Sequence, residues 1–224
     1  MNLAKMIDHT FLMPCGDEDA VRKVCREACR YGFATVCVNP AEVRLASDVL
    51  KLKRTKIRLC AVIGFPLGQT TATVKRVEAL EAIENGADEL DIVINQRLLR
   101  HDPVACSRDL EPLVKSVRGL ERKIVLKLIL ECCNLTKREI MTGCQIAKKL
   151  GFDFVKTSTG FCRGGATVEN VALMRRCVGP KMGVKAAGGI RTLADAKAMI
   201  RAGATRLGCS ASVGIVKEAM KKRG

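Results

Sequence analysis

The sequence predicts a single α/β domain in which eight parallel strands close into a (β/α)8 (TIM) barrel. Short β-branched runs alternate with amphipathic segments of helical period along the whole chain. There are eight such units in about 220 residues, and no change of composition marks a linker between them. We therefore expect one domain over residues 1–224. An open, doubly wound sheet is the alternative fold that the same pattern allows.

The predicted strands are short apolar runs, and each is followed by a turn and a helical segment. In chain order they cover residues 6–10, 33–38, 59–64, 89–94, 124–131, 152–157, 183–187 and 205–209. Helical periodicity is clearest over residues 18–30, 71–84, 137–150, 168–177 and 193–201. Glycine follows several of these segments, where a helix C-cap is expected, at Gly32, Gly86, Gly151 and Gly203.

Composition excludes several classes of protein. With 224 residues, 48% of them hydrophobic, the chain can bury a full core, which excludes a disordered protein despite a net charge of +16. No apolar run approaches the roughly 18 residues of a membrane span, and the N-terminal residues lack the apolar stretch of a signal peptide. We expect a cytoplasmic protein that makes no membrane contact.

The twelve cysteines are predicted to be reduced and mostly buried, because they lie in apolar runs and form no CxxC pair. The chain has only two histidines, His9 and His101, and no Cys/His spacing of the zinc-finger type. We therefore expect no structural metal ion.

The positive charge is the one feature that favours a nucleic-acid partner. Lysine and arginine are, however, spread over the whole chain, and aromatic residues that could stack on bases are scarce, with no Trp and one Tyr. Solvated helix faces are the simpler interpretation, and we expect no nucleic-acid partner. A positive field would still attract a small phosphorylated substrate.

Four charged residues interrupt strands that should be apolar because both faces of a parallel barrel strand are buried. They are Asp91 in ELDIVIN, Lys127 in VLKLILE, Lys156 in FVKTSTGF and Lys185 in GVKAAGGIR. Each lies toward the middle or the carboxyl end of its strand, where barrel active sites are built. The alternative is that some of these lysines point outward and extend their amines to solvent.

Three buried lysines close together cannot all be comfortably protonated, so we expect one of them to lose its proton near neutral pH. A neutral lysine beside another cation is an amine nucleophile of the kind that forms Schiff bases with carbonyl compounds. Asp91 would then balance charge and move protons.

Glycine-rich turns after the last two strands predict a phosphate site. Gly188 and Gly189 precede Arg191 and a helix that begins at Thr192 with Asp195 three residues on. The second turn is Gly208-Cys209-Ser210, and Gly164-Gly165 could add a third wall. The loops after strands seven and eight are the recurrent phosphate site of barrels.

Taken together, the motifs resemble the deoxyribose-phosphate aldolase family of class I (Schiff-base) aldolases. The similarity runs in order over essentially the whole chain: IDHT from Ile7, CVNP from Cys37, VIGFPLG from Val62, GADELDIVIN from Gly86, VKTSTGF from Val155, GGATVE from Gly164, VKAAGGIRT from Val184 and GATRLGCSAS from Gly203. The chain departs from the usual family pattern at Met13, Asn134, Cys209 and Ala211.

The resemblance implies roles for individual residues. Lys156 would form the imine, Lys185 would be the neighbouring cation that favours loss of a proton from Lys156, and Asp91 would relay protons. Asp8 would hydrogen-bond and orient Lys185, and Lys127 would complete the polar network. The resemblance places the substrate phosphate on Gly164, Gly188, Gly189, Arg191, Gly208 and Ser210. We expect His9 to be structural, because strand alternation turns it away from Asp8.

The reaction implied by the resemblance is reversible cleavage of 2-deoxy-D-ribose 5-phosphate to D-glyceraldehyde 3-phosphate and acetaldehyde, as a step of deoxyribose phosphate catabolism. It needs no metal and no organic cofactor, and its partner is a small phosphorylated sugar. A homo-oligomer, either dimer or tetramer, is left open. Three other functions also stay open: a Schiff-base aldolase for another phosphorylated sugar, a barrel that binds a sugar phosphate without turnover, and a basic nucleic-acid-binding protein.

Overall fold

The strands of the computed structural model form a closed parallel barrel in the order β1 to β8, with β1 paired to both β2 and β8. The structure describes residues 2–222, so Met1, Arg223 and Gly224, which the predicted domain includes, lie outside the described residues. The barrel forms a single domain. The predicted (β/α)8 fold is confirmed, and the open-sheet alternative is wrong.

All eight predicted strands are present. They are β1 (Ile7–Thr10), β2 (Thr35–Val38), β3 (Arg58–Ile63), β4 (Glu89–Val93), β5 (Val125–Ile129), β6 (Phe154–Lys156), β7 (Gly183–Ala187) and β8 (Arg206–Cys209). Six are shorter than predicted, and the largest differences, of three residues each, are in β5 and β6. Strand β5 cannot reach Glu131 because that residue adopts the left-handed conformation, with φ of 59°. Strand β6 begins late because the Phe152 N–H donates to the Ala147 carbonyl in the turn that ends the preceding helix.

Nine α-helices surround the barrel within residues 2–222. They are α1 (Glu18–Tyr31), α2 (Val43–Leu52), α3 (Ala72–Glu84), α4 (Gln96–His101), α5 (Pro103–Arg118), α6 (Lys137–Leu150), α7 (Val168–Val178), α8 (Leu193–Arg201) and α9 (Ser212–Lys221). The five helices predicted by periodicity are confirmed within one residue at each end. Short 3-10 turns occupy Leu3–Met6, Pro40–Glu42 and Cys132–Asn134. None of the described helices is long and apolar enough to cross a membrane.

Side-chain caps fix where the helices begin. Asp17 and Thr71 accept hydrogen bonds from the first-turn N–H groups of α1 and α3. Thr136 and Thr192 form complete capping boxes at the starts of α6 and α8, each with an acidic residue at the third helical position. These caps position the loops that enter each helix from the carboxyl ends of the strands.

The hydrophobic core has two parts. The larger part lies between the strands and the surrounding helices and takes outward-facing strand residues such as Leu90 and Ile92. The smaller part consists of Leu12, Cys37, Cys60 and Val62. All twelve cysteines are free thiols and nine are at least half-buried, as predicted; Cys15, Cys133 and Cys162 are exposed.

Two glycines with equally open surroundings provide a test of backbone conformation. Gly151 ends α6 with φ of 78°, Gly214 lies in the exposed first turn of α9, and an added Cβ would meet nothing within 4 Å at either position. We predict that Gly151→Ala destabilises the fold by about 1 kcal/mol, because alanine resists the left-handed conformation.

In contrast, Gly214→Ala should stabilise the fold by about 0.5–1 kcal/mol, because alanine is the better helix former. Urea unfolding of both variants beside the parent protein measures the two effects. Equal shifts of the midpoint in one direction would contradict the assignment of Gly151 as a left-handed cap.

Candidate active site

A cavity of about 370 Å³ opens at the carboxyl ends of the strands, where the loops after β1, β6, β7 and β8 meet. This is the face at which barrel enzymes build their active sites. Two charged residues, Lys156 and Arg191, are part of its lining. The whole lining comprises residues 10–13, Lys156, 159–161, 187–191 and 208–210.

Asp91 on β4 is fully buried, and its carboxylate accepts hydrogen bonds from three lysine amines. Its Oδ1 accepts a hydrogen bond from Lys127 Nζ at 2.7 Å. Its Oδ2 accepts from Lys156 Nζ at 2.8 Å and from Lys185 Nζ at 2.7 Å. The strand register explains this, since Asp91 lies opposite Lys127 and Lys156 lies opposite Lys185. The four charged strand residues predicted from the sequence therefore meet at one carboxylate.

Arg206 of β8 joins this cluster to two further carboxylates. Its Nη1 donates to Asp8 Oδ1 at 2.6 Å and to Glu89 Oε2 at 3.3 Å. Asp8 Oδ2 lies 2.5 Å from Lys185 Nζ, and Glu89 Oε2 lies 2.8 Å from Lys127 Nζ. Asp8 therefore contacts Lys185, as the resemblance implied. We call these four basic and three acidic side chains the buried network.

The buried network corrects one step of the sequence-based reasoning. The sequence-based expectation counted three lysines and one carboxylate, whereas the structure brings together four basic side chains and three carboxylates. Burial lowers the pKa of Lys185, but Asp8 and Asp91 outweigh it and hold the pKa above its usual range. For Lys127, burial is likewise outweighed, chiefly by Asp91, and the pKa is raised. Both lysines therefore remain protonated near neutral pH.

Asp8 and Asp91 of the buried network stay ionised. Burial alone would raise the pKa of Asp91, but Lys127, Lys156 and Lys185 together hold it well below its usual range. The pKa of Asp8 is lowered in the same way, with Lys185 making the largest contribution against burial. Each carboxylate is thus an acceptor at all pH values near neutrality.

Lys156 is the lysine of the buried network that lines the cavity. The side chains of Lys127 and Lys185 are completely buried, whereas that of Lys156 is 3% exposed. The Thr157 hydroxyl donates to the Ala187 carbonyl and accepts from the Ala187 N–H, both at 3.1 Å. This contact joins the ends of β6 and β7 and holds the backbone beside Lys156 in place.

The glycine turn after β7 is shaped as an open cradle. Gly188 and Gly189 have φ of 84° and 78°, a conformation that side chains disfavour. A Cβ on Gly165 would lie 2.3 Å from the Gly188 carbonyl oxygen, so the two loops require glycine to approach. Gly164 is not part of the cavity lining, and a Cβ there would face Cys133. The other five predicted phosphate-site residues do line the cavity.

The two helix N-termini at the cavity differ in their free N–H groups. Asp195 Oδ2 accepts from the N–H groups of Arg191 and Thr192 at 3.0 and 2.9 Å, so these donors are already paired. Helix α9 begins after Ala211 without a side-chain cap, directly beyond Ser210 at the cavity. An anion therefore fits the start of α9 better than the start of α8.

His9 faces the helix layer, as predicted. Its Nε2 lies 2.8 Å from Glu27 Oε2 on α1, and its ring packs against Phe33. Burial lowers the pKa of His9 despite the opposing effect of Glu27. The role of His9 in the fold is to attach β1 to α1.

Two groups of side chains have the spacing of metal ligands. Cys37, Cys60 and Asp91 lie within 4.8 Å of one another, but Asp91 already accepts hydrogen bonds from three ammonium groups, whose charge opposes a cation. The second group, Glu131, Cys133 and Cys162, lies in the loops after β5 and β6.

Sequence reasoning missed Glu89 and Arg206. Glu89 precedes Asp91 by two residues and therefore shares its face of β4, a signal that was present in ELDIVIN. Arg206 in TRLG begins its strand, where a charged residue ordinarily faces solvent, so its inward position had no comparable signal. The departures Met13 and Cys209 line the cavity, while Asn134 hydrogen-bonds Gln96 outside it.

The fold and the cavity at its carboxyl face are those of a (β/α)8-barrel enzyme. Residues 2–216 match the family model of the DeoC/LacD family aldolases. A protein of Caldanaerobacter subterraneus subsp. tengcongensis named deoxyribose-phosphate aldolase is 52% identical over 100% of this chain and 96% of its own length. A protein of Halalkalibacterium halodurans with the same name is 53% identical over 96% of this chain and 95% of its own length.

Solved structures agree with these relatives. A tetrameric deoxyribose phosphate aldolase from Aeropyrum pernix superposes with a TM-score of 0.90 at 36% identity and covers 99% of this chain and 92% of its own. A structure from Coccidioides immitis described as a deoxyribose-phosphate aldolase gives 0.92 at 41% identity, covering 98% and 86%. The chain belongs to the DeoC/LacD family of aldolases, which are carbon–carbon lyases.

Arg206 and Arg58 contact the same carboxylate, so substituting each one shows how much free energy of unfolding is lost when the buried network is broken. Arg206 is 14% exposed and Arg58 is 56% exposed, and each lies within 3.4 Å of Glu89. We predict that Arg206→Met destabilises the fold by about 3 kcal/mol, because Asp8 and Glu89 lose a buried partner. Arg58→Met should cost less than about 1 kcal/mol. Urea unfolding at neutral pH measures both, and equal costs would contradict the proposed difference.

We predict that the stability lost in Arg206→Met depends on pH. Because the pKa of Asp8 is lower in the folded state than its usual 3.8, its stabilisation is present above about pH 4 and is lost on acidification below that value. The stability difference between the parent protein and Arg206→Met should therefore shrink below pH 4. A difference that stays constant into that range would contradict a role of Asp8 in the effect.

Proposed function

We propose that this aldolase reversibly cleaves 2-deoxy-D-ribose 5-phosphate to D-glyceraldehyde 3-phosphate and acetaldehyde through a Schiff base on Lys156. The observation that carries the proposal is the position of the Lys156 amine, at the base of the cavity and 2.8 Å from Asp91 Oδ2. The names of relatives at about half identity support the choice of substrate.

The first half of the reaction forms the imine. The neutral amine of Lys156 attacks the C1 aldehyde carbon of the open-chain sugar, which gives a carbinolamine. The C1 oxygen is then protonated and leaves as water, so that C1 is joined to Nζ by a protonated imine. This cation accepts the electron pair that is released in the next step.

The second half breaks the C2–C3 bond. The C3 hydroxyl loses its proton and C3 becomes the aldehyde carbon of D-glyceraldehyde 3-phosphate, while the electron pair moves into the C1–C2 enamine. Protonation at C2 and addition of water to the imine then release acetaldehyde and the Lys156 amine. Every proton removed is returned within the cycle, so the steps use neither an oxidant nor a reductant and call for no metal or organic cofactor.

The buried network supplies the protons and holds the amine. Asp91 Oδ2 accepts from both Lys156 and Lys185, so one carboxylate oxygen connects the reacting amine to a second ammonium group. We assign Asp91 as the proton relay. Lys185 is the neighbouring cation that favours the neutral amine, and Asp8 orients it at 2.5 Å. Lys127 occupies the other oxygen of Asp91 and fixes the carboxylate.

The substrate phosphate is assigned to the cradle formed by Gly188, Gly189, Gly208 and Ser210, with the Arg191 side chain beside it. The backbone N–H groups at this end of the cavity, including those at the start of α9 that no side chain caps, favour binding of a dianion. Gly164 does not line the cavity, but its neighbour Gly165 packs against Gly188 of this cradle.

We also propose the setting in which the enzyme acts. The chain forms one domain over residues 1–224 and works in the cytoplasm on a small phosphorylated sugar, in deoxyribose phosphate catabolism, without binding nucleic acid or membranes. A homo-oligomer is proposed because the Aeropyrum pernix relative is described as a tetramer.

We predict that incubation with acetaldehyde and reduction with borohydride adds a two-carbon group to Lys156. Modification blocks tryptic cleavage after this lysine, so residues 150–163 should appear as one peptide carrying the adduct. Mass spectrometry of the digest measures it. An adduct on Lys127 or Lys185 would overturn the choice of nucleophile.

Lys156→Arg should abolish both the adduct and turnover, with a loss of about 10³-fold or more, because arginine keeps the charge but is not a nucleophile. Lys115→Arg, at a 75% exposed lysine of α5, is the matched control and should retain activity. Stabilisation by the sugar phosphate without any adduct would favour binding without turnover. Salt-dependent retention on DNA with no adduct would favour the nucleic-acid function.

For the phosphate, we predict that Arg191→Met raises KM for 2-deoxyribose 5-phosphate about tenfold, which corresponds to about 1.4 kcal/mol, and leaves kcat nearly unchanged. Cleavage of unphosphorylated 2-deoxyribose should not change. Arg201→Met, at the opposite end of α8, serves as the control. An equal loss with both sugars would show that Arg191 does not recognise the phosphate.

A further inference from the structure

Two exposed thiols and a buried carboxylate meet beside the active-site loops. Glu131 follows β5, Cys133 lies in the 3-10 turn Cys132–Asn134, and Cys162 lies in the loop after β6. One donor atom of each lies within 4.8 Å of the other two. Cys133 Sγ is 3.8 Å from Glu131 Oε1. The reaction proposed above uses none of these three residues.

Glu131 is held rigidly with one oxygen directed at the thiols. Its Oε2 accepts hydrogen bonds from both the N–H and the hydroxyl of Thr159. Its backbone has φ of 59°, a left-handed conformation that costs a residue with a side chain about 1 kcal/mol or more. Glu131 is 3% exposed, yet its carboxyl group forms no ion pair within residues 2–222. A buried carboxylate without a cation is costly, which points to a missing positive charge.

Asn134 adds a fourth side chain with an atom that can bind a metal ion. Its Oδ1 accepts a hydrogen bond from Cys133 Sγ at 3.6 Å, and its Nδ2 donates to Gln96 Oε1 at 3.1 Å and to Cys162 Sγ at 3.8 Å. The hydrogen bond to Gln96 fixes the plane of the amide, so its oxygen is directed toward Cys133 and its amino group toward Cys162.

We propose that Glu131, Cys133, Cys162 and Asn134 form a binding site for a soft divalent cation of the Zn²⁺ class. Tetrahedral zinc with bonds of about 2.0–2.3 Å places its ligand atoms about 3.3–3.8 Å apart. The separations of 3.8 and 3.6 Å around Cys133 Sγ match that spacing. Both thiols are exposed, so the cation enters from solvent, and each thiol releases a proton as it binds.

The cation would join two loops that border the cavity. Cys162 follows Phe161, which lines the cavity and packs edge-to-face on Phe65 with ring centroids 5.1 Å apart. Thr159, bonded to Glu131, also lines the cavity. Binding at this site therefore restrains the wall formed by residues 159–161, without occupying the space above Lys156.

Cadmium titration of the full-length, reduced protein tests the proposal directly. Cd²⁺ bound to thiolates absorbs in the ultraviolet by charge transfer, so the readout does not depend on aldolase activity and stands even if the proposed reaction is wrong. In oxygen-free buffer with a phosphine reductant, we expect a band that saturates at one equivalent and is displaced by Zn²⁺. Zn²⁺ should also protect Cys133 and Cys162 from alkylation, as peptide mapping would show.

Variants separate this site from the other thiols. Cys133→Ser and Cys162→Ser should each lose the saturable band, whereas Cys15→Ser, at the third exposed cysteine, should keep it. Glu131→Gln retains an oxygen for Thr159 but removes the charge, and it should weaken Cd²⁺ binding about 10–100-fold. Circular dichroism confirms that each variant is folded.

The proposal is overturned if the parent protein shows no saturable band, or if Cys162→Ser binds Cd²⁺ as tightly as the parent protein. An unchanged affinity in folded Glu131→Gln would remove the carboxylate from the site and contradict the argument from its buried charge.

Discussion

The interior of this barrel depends on one carboxylate. Asp91 accepts hydrogen bonds from three lysine amines on three other strands, and each of these lysines is at most 2% exposed. A buried ion pair that loses one partner leaves an uncompensated charge, at a cost of about 3–5 kcal/mol. Asp91 therefore fixes the positions of β5, β6 and β7, while Leu12, Cys37, Cys60 and Val62 form a small hydrophobic cluster beside it, from which the Cys60 thiol donates to Asp91 Oδ1 at 3.2 Å.

The charge balance of the buried network assigns different tasks to similar side chains. Lys127 and Lys185 each contact two carboxylates closely and keep their protons, whereas Lys156 has one carboxylate partner and reaches the cavity. Four positive charges against three negative ones leave one excess positive charge. Of these three lysines, Lys156 is the one that lines the cavity and that a ligand can approach.

The sequence predicted the barrel and the residues around Asp91 because both leave local signals: periodicity for the elements, and lysines inside apolar strands for the site. It did not predict Arg206, whose partner Glu89 is 117 residues away in the chain, because a pair at that distance is visible only after the strands close. Loop details also escaped prediction. Gly165, not Gly164, packs against Gly188, and Glu131 ends β5 early, since loop conformations follow no period.

The buried network accounts for only one unit of the formal charge of +16, so the remaining +15 belongs to the rest of the sequence. Surface charges more than about 8 Å apart are largely screened at physiological salt, so this excess acts mainly as a general attraction for anions. Discrimination must come from short-range contacts at the cavity. There the glycine turns, Ser210 and the start of α9 offer directed donors to one end of a ligand, and Lys156 lies at the base of the cavity. A ligand with an anionic group and a carbonyl carbon can use both sets of contacts, whereas a simple polyanion can use only the first.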